Sequence, residues 1–126
     1  MAFKDLFAKN YYVTSDRDPD PFFRPRRYGK RQEEVLAVVR SIIEKLPGWK
    51  IVNYYEIQGR LQVGRRGFLG LGEAVDFYII RGQDGITTLE VTSRSRVGKG
   101  DWGRNKKNLK TFLSELDRML PGEKVS

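Results

Sequence analysis

The chain predicts an α+β fold: a curved antiparallel sheet with two helices, the long C-terminal one packed across one face. Three observations carry that expectation. Apolar residues recur at three- and four-residue steps in two segments, Lys30 to Leu46 and about Trp102 to Leu120. Four alternating, strand-like runs lie between them, separated by short turn-forming stretches, and such short links make sequential neighbours antiparallel. The resulting order, (β)-α-β-β-β-β-α, groups strands with strands, as an α+β layer does.

A chain of 126 residues is one domain by length and buries roughly two-thirds of its unfolded surface on folding. Residues 1–29 read as an N-terminal segment and extended arm, 30–120 as the domain and 121–126 as a tail. Within the arm, Tyr11 to Thr14 fits a short edge strand. Asp16 to Arg27 holds three prolines, which favour extended backbone over helix. Its opening, Asp16-x-Asp18-x-Asp20, matches the start of a calcium loop, but the sixth position is Pro21 instead of Gly and the twelfth is Arg27 instead of Glu. The calcium reading fails on both counts.

The first helix places Val35, Val38, Val39, Ile42, Ile43 and Leu46 on one face. Glu33 and Glu34 lie in its favourable first turn, and Pro47-Gly48 stops it. The next run, Trp49 to Ile57, sets Trp49, Ile51, Asn53, Tyr55 and Ile57 against Lys50, Val52, Tyr54 and Glu56. Gln58-Gly59 turns the chain into Arg60 to Arg66, with Leu61 and Val63 inward. A glycine-rich bend from Gly67 to Gly72 leads to Glu73 to Arg81, where Val75, Phe77 and Ile79 oppose Asp76, Tyr78 and Ile80. Gly82-Gln83-Asp84-Gly85 is a hairpin loop before the last strand, Ile86 to Ser93. The second helix puts Trp102, Asn105, Leu109, Phe112, Leu113, Leu116 and Leu120 on one face and ends at Pro121-Gly122.

Missing residue types narrow the chemistry. There is no Cys and no His, so disulfides, thiol nucleophiles, the Ser-His-Asp triad and His or Cys zinc sites are excluded. Any active site would use Asp, Glu, Lys, Tyr or an oxygen-bound metal, and no cofactor or metal is expected. Met1 to Asn10 has no apolar run long enough for a signal segment and carries Asp5; Phe3, Leu6 and Phe7 fall on one helical face, more suited to packing than to a surface anchor. A cytoplasmic, soluble protein is the expectation. The net charge of +8 favours an anionic small molecule or an acidic protein as partner, with nucleic acid a class resting on charge alone.

Most of that charge sits in one place. Between Arg94 and Lys110 stand seven Lys/Arg and one Asp, +6 of the +8. Gly98, Gly100 and Gly103 match G-x-G-x-x-G, yet only 23 residues follow Gly103, too few for the second parallel strand of a dinucleotide fold. The glycines then serve a tight entry into the helix. An anion site at the helix start remains, with Arg94, Arg96, Lys99, Asp101, Arg104 and Asn105 as its candidates. Asp101 standing at the N-cap competes with it, because its carboxylate would satisfy the same donors. Asp76 is a cross-strand partner for the arginines if the register allows. Lys106, Lys107 and Lys110 read as a solvated helix face, and Arg60, Arg65 and Arg66 extend a basic band if the fold brings them near.

The run Ser93-x-Ser95-Arg96-x-Gly98-x-x-Asp101-x-Gly103-x-Asn105 resembles the C-terminal signature of the domain-of-unknown-function family 1499, small bacterial and plastid proteins. Phe68 to Phe77 is similar to the family's R-x-F-G-F-V-D-D-V-x-F segment, and Asn10 to Ser15 to its N-C-V-S-S region, so the likeness runs from about Asn10 to Leu120. Two departures stand out: the paired acids are Glu73 and Ala74 here, and tyrosine replaces the N-terminal cysteine. The resemblance implies that the signature residues matter and brings no activity. The leading expectation is a non-catalytic binding or scaffold module whose basic loop meets an anionic ligand or acidic partner. The alternative is a hydrolase or transferase on a phosphorylated substrate, with Asp101, Glu90 or Asp76 as acid/base or Mg²⁺ ligand and Arg96 as charge clamp.

Overall fold

The computed structural model describes residues 11–65, 72–95 and 103–121. Met1 to Asn10, the bend through Gly67, and Arg96, Gly98, Lys99, Gly100, Asp101 and Trp102 lie outside them. The predicted architecture is present: the described residues form six antiparallel strands and two helices, the C-terminal helix packed on the sheet. The strands are β1 (Tyr11–Val13), β2 (Arg26–Tyr28), β3 (Trp49–Tyr55), β4 (Arg60–Arg65), β5 (Glu73–Arg81) and β6 (Thr87–Ser95). The helices are α1 (Gln32–Lys45) and α2 (Arg104–Met119).

Strand order is β1-β6-β5-β4-β3, and β2 also pairs with β6. β1 and β2 therefore share one edge of β6, at Thr92–Arg94 and at Thr87–Leu89. Thr14 fills the gap between them. Its hydroxyl accepts the Val91 N–H at 3.0 Å and its own N–H donates to the Val91 carbonyl at 3.0 Å. The edge of β6 is thus sealed by two three-residue strands and one side chain, which blunts it against further pairing.

Alternation divides each strand between the two faces of the sheet. Leu61, Val63, Val75, Phe77, Ile79, Leu89 and Val91 face the helices and are buried with Val35, Val39, Ile42 and Ile43 of α1 and Leu109, Phe112, Leu113 and Leu116 of α2. Phe112 is the centre of this core, its ring 4.6 Å from that of Phe77 and stacked on Trp49 at 6.5 Å. Among the described residues no helix is long and apolar enough to cross a membrane.

Four details depart from the sequence reading. The alternation of β3 breaks at a bulge between Ile51 and Asn53. One extra residue inverts the facing of everything after it, so Tyr54 pairs with inward Leu61 and takes Arg40 of α1 over its ring at 5.1 Å, while Asn53 joins outward Gln62 at 2.8 Å. Second, the extended arm contains a 3-10 turn, Pro21–Phe23, and a sheet strand, β2. Third, β6 continues two residues beyond Ser93, to Ser95. Finally, α2 starts at Arg104, two residues later than its periodicity suggests, so Gly103 and not Asp101 holds the N-cap. Gly103 has φ of +79°, a left-handed backbone that glycine adopts freely and that a helix cannot run through.

Gly59 shows the same freedom put to closer use. At φ +63°, a Cβ there would collide with the Ile79 carbonyl and the Gln32 amide. Without one, the Gly59 carbonyl accepts the Ile79 N–H at 2.7 Å while Gln32 Nε2 donates to the Ile79 carbonyl at 2.7 Å. One turn thereby ties β5 to the start of α1.

Candidate functional site

Where α2 begins, it lies on the ends of β5 and β6, and the contact there is polar. Arg65, Glu73 and Ser95 are register partners across three strands, on the helix-facing side. Glu73 is 1% exposed and Asn105 fully buried. Ser93 donates its hydroxyl proton to Asn105 Oδ1 at 2.6 Å and accepts from Asn108 Nδ2 at 3.1 Å. Asn105 Nδ2 donates to Ser95 Oγ at 2.9 Å, and Asn108 Nδ2 to Glu73 Oε1 at 3.0 Å. Arg65 reaches the same Glu73 oxygen at 3.1 Å. These bonds fix the angle and rotation of α2 on the sheet. They are worth little net while intact, but losing one partner strands a buried polar group at a cost of about 1–3 kcal/mol. Glu73 Oε2 is buried with no hydrogen-bond partner.

The signature residues Ser93, Ser95 and Asn105 are thus brought together, inside the molecule. Gly103 is the N-cap of α2, two residues before Asn105. Arg94 points the other way: it pairs with Ala74 and Tyr11 on the outer face, exposed to solvent. Arg94 and Asn105 therefore stand on opposite sides of the sheet. Arg104 is half-buried at the first position of α2. Arg96, Gly98, Lys99 and Asp101 lie outside the described residues.

Asp76 is also on the outer face, opposite Gln62 and Thr92, and is 7% exposed. Its partner is Arg60, whose Nη2 is 3.6 Å from Oδ1. Arg60 in turn lies over the rings of Tyr78 at 5.3 Å and Tyr55 at 5.7 Å. Asp76 is therefore not the partner of Arg94, and Arg60 and Arg65 do not form a band: one faces out, the other pairs inward with Glu73. Asp76 and Glu90 share the outer face, away from α2. Among the described residues no group of three or more Asp or Glu could hold a metal ion.

The acidic triplet of the arm is fully engaged. Asp16 forms a two-pronged pair with Arg27 at 2.8 and 2.9 Å, which holds its carboxyl below the usual range. Asp18 accepts the Tyr12 hydroxyl at 2.6 Å and the Asp20 N–H at 2.9 Å. Burial, then that bond to Asp18, raises the Tyr12 phenol. Asp20 caps the 3-10 turn through the Phe22 N–H at 2.9 Å.

Two features of this region were not anticipated. Arg26, 2% exposed, grips Asp117 of α2 with two 2.9 Å bonds and covers the Phe22 ring at 5.2 Å. The Tyr28 phenol is fully buried beside them with an unpartnered hydroxyl; burial first, then the Asp117 charge, pushes its pKa up. The arm so fastened leaves a groove of about 860 Å³ between the 3-10 turn and α2. Phe22, Phe23 and Asp20 line one wall; Lys106, Lys107, Lys110, Thr111 and Ser114 line the other, with Gly103 at its end. Lys106 lies over the rings of Phe23 at 5.0 Å and Tyr12 at 5.7 Å. None of the three lysines is in an ion pair among the described residues. The three- and four-residue spacing of these side chains was visible in the sequence; the aromatic wall facing them was not.

No curated protein matches this chain. A solved structure, a structural-genomics target from Nitrosospira multiformis, is similar with a TM-score of 0.61 at 10% identity, over 90% of this chain and 97% of that one. At that identity the likeness establishes the fold alone. The model of the family described as "Protein of unknown function (DUF1499)" matches residues 4–116. Its span takes in the arm, the sheet and most of α2, including the Ser93, Ser95 and Asn105 cluster, and the chain belongs to that family.

Proposed function

We propose that this chain is a non-catalytic binding module that takes an anionic ligand or an acidic partner in the groove between the 3-10 turn and α2. The observation that carries this reading is the set of Lys106, Lys107 and Lys110 along one wall, with no carboxylate paired to them among the described residues. Ammonium groups so placed attract phosphate or carboxylate by charge and by charge-assisted hydrogen bonds, and Thr111 and Ser114 add hydroxyl donors. The net +8 of the chain speeds encounter with anions.

Catalysis has less support. Of the acids the sequence offers for proton transfer, Asp76 and Glu90 lie on the opposite face of the sheet from the groove, while Asp20, which does line it, caps the 3-10 turn. A phosphoryl-transfer site would need a free acid beside the cations.

The test is calorimetric titration with pyrophosphate and with an acidic peptide at low and moderate salt. Binding that weakens as salt rises, and that falls about tenfold or more in Lys107→Gln/Lys110→Gln, supports the groove. Binding unchanged in that variant would move the site elsewhere, and no binding at low salt would end the reading.

A further inference from the structure

The two walls of the groove differ in kind, and the difference narrows the ligand. Resting on the groove reading above, we infer that it selects an amphiphilic organic anion: one phosphate or carboxylate head on a flat apolar body, with the head against Lys107 and Lys110 and the body against Phe22.

Phe22 is half-buried and cannot turn away freely. Its ring meets Phe23 edge-on at 5.0 Å and 84°, and the Arg26 guanidinium holds it from 5.2 Å. A fixed aromatic surface binds a flat apolar group with little ordering cost. Lys106 is drawn onto the rings of Phe23 and Tyr12, which leaves Lys107 and Lys110 as the cations without such a contact. Asp20 stands on the aromatic wall, where its carboxylate repels a second anionic group. The ligand is therefore charged at one end.

Size points the same way. From Lys106 to Ser114 the helix rises about 12 Å, room for one head group and its body and too short to track a polyanion backbone. A volume of about 860 Å³ is in the range that holds a small organic molecule.

Three probes separate the possibilities: inorganic phosphate, phenyl phosphate and octyl phosphate, titrated into the whole chain and followed by calorimetry. Phenyl phosphate is expected to bind about tenfold or more tighter than inorganic phosphate, with octyl phosphate between them. Phe22→Ala should bring phenyl phosphate level with inorganic phosphate, while Phe22→Leu, which keeps an apolar wall and the turn, should retain part of the preference. Lys107→Gln/Lys110→Gln should weaken all three probes together. Equal affinity for phenyl and inorganic phosphate in the unaltered chain would overturn the amphiphile and leave the anion groove standing. A preference that survives Phe22→Ala would also overturn it. If no probe binds, both the groove and its selectivity fall.

Discussion

One helix, α2, carries two polar surfaces with opposite fates. On its sheet-facing side Asn105 and Asn108 are buried and spend their amides on Ser93, Ser95 and Glu73. About 100° or more around the same turns, Lys106, Lys107 and Lys110 line an open groove and pair with no carboxylate among the described residues. Both sets are polar and sit within six residues of one another. What separates them is whether folding has already supplied their partners. The amides act on the structure of the free protein; Lys106 rests on the Phe23 and Tyr12 rings, and Lys107 and Lys110 are the groups proposed to meet a ligand. Of the signature residues, Ser93, Ser95 and Asn105 belong to the first set, and Gly103 lies at the end of the groove.

The comparison breaks most visibly at the strap that builds the groove. Asp117→Ala leaves the buried Arg26 guanidinium without its counter-charge, which costs about 3–5 kcal/mol. Chemical denaturation measures that loss, and ligand binding should disappear with the arm's attachment. Next comes the polar cluster. Asn108→Ala removes bonds to both Glu73 and Ser93 and leaves a buried carboxylate more poorly served, a loss of about 2–3 kcal/mol in the same assay. Ligand affinity should survive wherever the variant remains folded.

Tyr28→Phe is the smaller, sharper test. The hydroxyl it removes has no partner, so stability should be unchanged or rise by up to about 1 kcal/mol at neutral pH. Its alkaline behaviour has a definite sign. The folded pKa lies above the ordinary phenol value of 10.0, so the unfolded chain ionises first. The contribution is complete below pH 10.0 and is lost as pH climbs beyond it. Tyr28→Phe should flatten this alkaline decline in urea-unfolding curves, with Tyr12 supplying the part that remains. Smallest of all, Lys107→Gln/Lys110→Gln should change stability by no more than about 0.5 kcal/mol while weakening anion binding.

Much of this was written in local patterns. The periodic faces of α1 and α2 and the alternation of β4, β5 and β6 follow from single-element geometry, which sequence displays directly. The bulge in β3 does not, because alternation read from Trp49 carries no mark of an inserted residue at Val52. β2 is three residues with two arginines after Pro25, and it is a strand because β6 offers an open edge and Asp117 neutralises Arg26 from 91 residues away. The cluster was half legible. Ser93, Ser95 and Asn105 stood out as a signature. Glu73 could have joined them, since it falls on the apolar face of β5 with Val75 and Phe77, and Asn108 lies one turn after Asn105 on the apolar side of α2. The groove needed the arm folded against α2, a tertiary event with no local trace. Without it, Lys106, Lys107 and Lys110 look like any wet helix face.

The most direct test of the account is an amide NMR titration of the whole chain with phenyl phosphate. The account predicts saturable shifts concentrated at Asp20, Phe22 and Phe23 and along Gly103 to Ser114, with Tyr55, Arg60 and Tyr78 on the outer face unmoved. Shifts centred on that outer face, or none that saturate, would contradict it.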